Sequence, residues 1–152
     1  MTPVRIVLAA VLALIGVGCT THVPPKVCRA TQDVDVTFQR FVRLHGDRHA
    51  EFCVTNALAQ PVWFAGYSLQ SPLYKIQLLK DGRWQDSPMG WCGVGLGLRE
   101  LPSKASTTFT VPVPPHTSEQ RMMRVGLTCW PEKDQTKVVA SEYWSDPFNA
   151  NK

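Results

Sequence analysis

The chain has 152 residues, with 16 basic and 12 acidic side chains, 44% hydrophobic residues and a net charge of +4. The basic residues are scattered, with no run of lysine or arginine, so the composition excludes a polybasic nucleic-acid binder. Beyond the N-terminal segment no stretch is apolar for long enough to cross a membrane as a helix, and the remaining length suits one domain with its own core.

Met1 to Arg5 carries one positive charge, Ile6 to Val17 lacks polar side chains, and Gly18-Cys19 follows. This order is that of a secretory signal peptide, too short for a membrane-spanning helix. Ile15-Gly16-Val17-Gly18-Cys19 resembles a bacterial lipobox, with Gly16 where leucine is most usual. The resemblance implies cleavage before Cys19 and lipidation of that cysteine. Thr20 follows in place of the aspartate that marks inner-membrane retention, which implies an outer-membrane anchor facing the periplasm. Residues 1–18 are therefore read as a lipoprotein signal peptide. Residues 19–33 are polar, contain Pro24-Pro25 and read as a tether. The folded domain is expected over 34–148.

Short alternating segments follow in order. Val34, Val36 and Phe38 alternate with Asp35 and Thr37, and Phe41 to Leu44 continues after a break near Arg40. Ala50, Phe52 and Val54 form the next apolar face, ended by Asn56, and Pro61 to Tyr67 is a short aromatic strand. Tyr74, Ile76 and Leu78 lead to Asp81-Gly82, a hairpin signal, and then Arg83 to Gln85. Thr107 to Val113, Val125 to Cys129 and Val138 to Trp144 complete the series. No amphipathic helix interrupts it. Seven or eight strands with period-two alternation predict an antiparallel β-sandwich of immunoglobulin or fibronectin-III type, with a barrel as the runner-up.

The segments FCVTNALAQPVWFAGYS, SPLYKIQLLKDGRWQD, GWCGVGL, ELPSKASTTFTVPVP and RVGL together resemble a family of bacterial exported proteins with an Ig-like domain. The W-C-G-x-G element is the most specific part, and the resemblance spans Phe52 to Leu127. It implies the sandwich and no activity. A more distant similarity, in strand layout only, is to Ig-like bacterial proteinase inhibitors.

Gly90 to Gly97 (GWCGVGLG) is the stretch most suggestive of chemistry. Its G-x-G-x-G spacing runs into Leu98 to Pro102 and not into a helix, so it is not a phosphate cradle. Gly93 and Gly95 read instead as turn positions of a loop at a sandwich end. Four cysteines lie beyond Cys19, and an even number in an exported protein reads as two disulfides. Cys53 with Cys129 would match the pair that bridges an Ig core. Strand phase opposes this, since Phe52 and Val54 turn Cys53 outward while Cys129 shares the face of Val125 and Leu127. The favoured pairing is therefore Cys28 with Cys53 and Cys92 with Cys129.

A Cys92 nucleophile would need a base, for which His116 is the candidate. A metal site has only the spacing of His45 and His49, or Cys129 with Met122-Met123, to recommend it. Neither has supporting context, so no catalytic residue, cofactor or metal is assigned and the protein is read as a non-enzyme. Most of the tryptophans and tyrosines are expected in the core. Trp84 and Trp91, beside turns, are the exceptions that could meet a sugar ring or a peptide. The resulting expectation is a lipid-anchored envelope module that binds a protein, peptide or glycan through Trp84, Trp91, Gly93 and Gly95. The alternatives are a loop-based proteinase inhibitor and, behind it, a Cys/His enzyme or a metal-binding protein.

Overall fold

A computed structural model describes residues 33–88, 93–113 and 121–151. The described residues are all-β and contain no helix. Their strands are β1 (Val34–Leu44), β2 (Asp47–Asn56), β3 (Val62–Ser68), β4 (Ser71–Pro72), β5 (Tyr74–Lys80), β6 (Arg83–Asp86), β7 (Gly97–Leu101), β8 (Ser106–Pro112), β9 (Met122–Trp130), β10 (Ser141–Trp144) and β11 (Phe148–Asn149). All pairings are antiparallel. A smaller sheet has the order β1-β2-β8. A larger sheet runs β4-β3-β9-β5-β6, with β10 and β11 on β9 and β7 on β3.

The two sheets bury one face each against the other, as the alternation predicts. Val36, Phe52, Val54, Phe109 and Val111 come from the smaller sheet; Phe64, Ile76, Val125 and Leu127 come from the larger. Phe52 stacks on Phe109 at 5.5 Å, and Phe38 lies parallel to Phe148 at 4.6 Å. The break expected near Arg40 is a register shift between Phe38 and Arg40, after which Arg40 faces Glu51 and bonds it at 2.7 Å. Asp81 and Gly82 both have positive φ, 51° and 72°, as a type I′ hairpin turn demands, and they join β5 to β6.

The sandwich has more strands than the seven or eight expected. β4 and β11 are two-residue elements with too little sequence to carry a period. β7 was hidden because Gly97 opens it and proline follows it, so it reads as loop; its pairing with β3 makes it a strand. Conversely, Val138 and Val139 lie before β10, and Val139 is 88% exposed.

Candidate functional site

Among the described residues the core contains no tryptophan. Trp63, Trp84, Trp130 and Trp144 are all half-buried and stand on the outer face of the larger sheet, which corrects the expectation that most would be packing mass. Strand phase places them there. On β9, Met123, Val125, Leu127 and Cys129 point inward, so Arg124, Gly126, Thr128 and Trp130 point out. Tyr143 packs on the core, which turns its neighbour Trp144 outward over Gly126, its register partner. Trp84 pairs with Leu79, and Trp63 pairs with Trp130.

The site is built on β9. A side chain at Gly126 would place its Cβ 2.7 Å from the Trp144 ring, so the bare backbone is the floor on which the indole lies. Beside it, the Arg124 guanidinium carbon sits 4.5 Å from the centre of the Trp84 ring and 4.7 Å from that of Trp144. Such contacts draw the cation to the ring faces. Nε and Nη2 of Arg124 donate to Gln77 Oε1 at 2.8 and 2.6 Å, and Gln77 Nε2 donates to Asp86 Oδ1 at 2.8 Å. Lys75 and Glu142 form an ion pair across the same face. At the other end of β9, Lys133 Nζ lies 5.6 Å from the Trp63 ring centre. The arrangement is a fixed row of indoles interleaved with polar groups and open to solvent, suited to surface contact.

Of the residues singled out from sequence, Trp84 belongs to this row. Gly93 and Gly95 lie in the loop before β7, where Gly95 has φ of 84° and Val94 is 82% exposed. Trp91, Cys92, Cys19, Cys28, His22 and His116 fall outside the described residues. His45 occupies the β1–β2 turn with φ of 51°, and His49 lies on β2 opposite Val42, so their four-residue spacing is not that of a helix. Among the described residues no group of three or more His, Cys, Asp or Glu side chains could hold a metal ion. Sequence reasoning missed Trp63, Trp130, Trp144 and Arg124 as a surface set. The available signal was their placement one residue out of phase with the inward-facing positions Phe64, Cys129, Tyr143 and Val125.

Cys129 is a free thiol, 2% exposed, so neither the expected Cys92–Cys129 bridge nor a Cys53–Cys129 bridge is formed. The physical reason is phase: Cys129 points into the core among apolar side chains, whereas Cys53 stands on the opposite side of β2 from Phe52 and Val54. Cys53 is disulfide-bonded, to a partner outside the described residues. Burial pushes the Cys129 thiol from 9.0 up to about 12. A group whose folded pKa is raised stabilises the fold below its unfolded pKa and loses that contribution as pH rises. Stability is therefore expected to fall between pH 9 and 12, by on the order of 4 kcal/mol if the whole shift is expressed. Tyr74, raised to about 12 by burial, acts in the same direction. Urea unfolding from pH 7 to 11 checks this, with Cys129→Ala showing a shallower decline. A disulfide-exchange reagent should modify Cys129 only after unfolding.

Neither protein-family models nor curated proteins yield a match to this chain. Among solved structures, one described as the X-ray structure of Northeast Structural Genomics Consortium target SoR45 is similar at 14% identity, over 76% of this chain and 81% of that one, with a TM-score of 0.38. A likeness of that size carries no functional argument.

Proposed function

We propose that the protein is a non-enzymatic binding module of the bacterial cell envelope, lipid-anchored through Cys19 to the outer membrane and facing the periplasm. It meets its partner with the tryptophan–arginine face of the larger sheet. The observation that carries this reading is the placement of Trp63, Trp84, Trp130 and Trp144 on the solvent side of a sandwich whose core is complete without them. Half-exposed indoles held in fixed positions are what binding surfaces concentrate. The signal peptide and lipobox resemblance support the location. The Gly93–Gly97 loop leads into β7, which pairs with the Trp63 strand, so the loop adjoins this face and does not compete with it.

The test is affinity capture from native envelopes with wild-type protein, Trp84→Ala/Trp130→Ala, and Val94→Ser. The face variant should lose partners that the loop variant keeps. Identical capture by wild type and face variant would overturn the reading. Anchoring is checked separately: Cys19→Ala should move the protein from the membrane to the soluble fraction.

The exposure of Val94 between Gly93 and Gly95 favours one second reading, a loop-based proteinase inhibitor. A protease panel left fully active by the protein removes it.

The tether is held to the domain by a Cys28–Cys53 disulfide in this proposal. Cys53 lies opposite Thr37, three residues along β1 from Val34, and Cys28 precedes Val34 by six. Six extended residues span up to about 20 Å, ample to return over the strand. Cys92, by contrast, precedes Gly97, which pairs with Gly66 at the end of β7 away from the Asn56–Leu101 corner. Non-reduced peptide mapping should recover Cys28 joined to Cys53; a Cys53–Cys92 peptide overturns the assignment. Loss of the bridge in Cys28→Ser is expected to cost about 2–4 kcal/mol.

A further inference from the structure

We propose that the tryptophan face binds an extended, uncharged glycan chain lying along β9, with the Trp84–Arg124–Trp144 stack and the Trp63–Trp130 pair as two stations. The inference rests on the reading that this face is the contact surface, and it names the ligand class.

The chemistry of the face separates the possible ligands. An extended peptide recruited by strand addition joins a sheet edge, whereas a ligand lying over the outward face of β9 cannot be an added strand, because β9 is already paired along both sides, by β5 and β3 on one and by β10 and β11 on the other. A polyanion needs an excess of positive charge. Here Lys75, Arg124 and Lys133 are matched by Asp86, Glu100 and Glu142. A lipid surface needs a contiguous apolar patch, whereas these indoles are separated by Gln77, Asp86, Lys75, Glu142 and Thr128. A pyranose ring presents an apolar C–H face that packs on an indole and hydroxyls around its rim that need polar partners. Rings interleaved with amide, carboxylate and ammonium groups meet both requirements.

Two features favour a chain over a single sugar. The stations lie at Gly126 and Trp130, four residues apart on β9, or about 13 Å at the rise of an antiparallel strand. The indole of Trp144 is also held in place before binding, by the Gly126 floor and the Arg124 guanidinium, so little side-chain freedom is lost on contact.

The experiment measures binding of N-acetylglucosamine and glucose β-1,4 oligomers, from dimer to hexamer, to the mature protein by calorimetry and tryptophan fluorescence. A heparin hexamer and a mixed hexapeptide serve as comparators. One hexameric sugar series should bind about tenfold or more tightly than its dimer, because the chain engages a second station without a second encounter. Trp84→Ala and Trp130→Ala should each abolish that length dependence while keeping the wild-type circular dichroism and Tm. Failure of both sugar hexamers to bind at millimolar concentration, equal affinity for dimer and hexamer, or tighter binding of either comparator overturns the glycan assignment. If the envelope capture still distinguishes the face variant, the contact surface stands and only the ligand class falls. If neither assay responds to the tryptophans, both readings fall.

Discussion

Asn56→Asp is expected to be the most damaging conservative change in this protein, lowering stability by about 3–5 kcal/mol. Asn56 ends β2 in the smaller sheet and is fully buried. Its amide nitrogen donates to the carbonyls of Gln60 at 2.9 Å and of Leu101 and Pro102 at 3.1 Å, and its Oδ1 accepts from the Leu58 backbone N–H at 3.0 Å. One side chain thus joins the end of β2 to the end of β7 in the other sheet and holds the intervening loop. Aspartate would place a carboxylate against three carbonyl oxygens in a buried site, reversing every contact the nitrogen makes. Asn56→Leu keeps the branched heavy-atom outline but is bulkier and leaves four backbone groups without this partner, and about 3 kcal/mol is expected. Chemical denaturation of both variants measures the effect. A loss below 1 kcal/mol in the aspartate variant would show that this corner is not a cross-link between the sheets.

Gly126→Ala is expected to dislodge Trp144 and disperse the indole row, with a stability loss of about 1–3 kcal/mol. The added Cβ would meet three atoms of the Trp144 ring at 2.7–2.9 Å, closer than van der Waals contact permits. The ring belongs to a side chain and can move, so the sheet survives while Trp144 swings away and Arg124 loses one of its two ring contacts. A red shift of tryptophan emission with unchanged far-ultraviolet dichroism reports that outcome, and glycan affinity should fall with it. Unchanged emission would mean that the backbone, and not the ring, had yielded. Arg124→Lys complements this test. Lysine keeps the charge but lacks the planar group that fits between two indoles and bonds Gln77 Oε1 twice, so the row should loosen without any change of net charge.

The strands that were legible in the sequence are those long enough to show a period against a buried face. Val34 to Phe38, Ala50 to Val54, Tyr74 to Leu78 and Val125 to Cys129 alternate because one side of each faces the core, and alternation is a local property. The Asp81-Gly82 turn was legible for the same reason, since a left-handed pair of residues leaves a local mark. β7 was not, because its strand character comes from pairing with β3, over thirty residues away. The cysteines divide along the same line. Phase in the sequence turned Cys53 and Cys129 to opposite sides of their strands, yet which cysteine bridges depends on chain ends meeting across the fold.

The sequence by itself determined an all-β chain, the inward faces of its longer strands and the positive-φ turn at Asp81-Gly82, and it supplied the lipobox resemblance at Cys19 on which the proposed anchoring rests. These follow from composition and from periods of a few residues. Only the tertiary structure decided that Cys129 is a free core thiol, that Asn56 joins the two sheets, and that Trp63, Trp84, Trp130 and Trp144 share one solvent face with Arg124. Those facts depend on which strands lie side by side. Residues far apart in the chain, such as Trp63 and Trp130 or Trp84 and Trp144, become neighbours only once β9 is flanked by β3, β5 and β10, and no local pattern in the chain encodes that order.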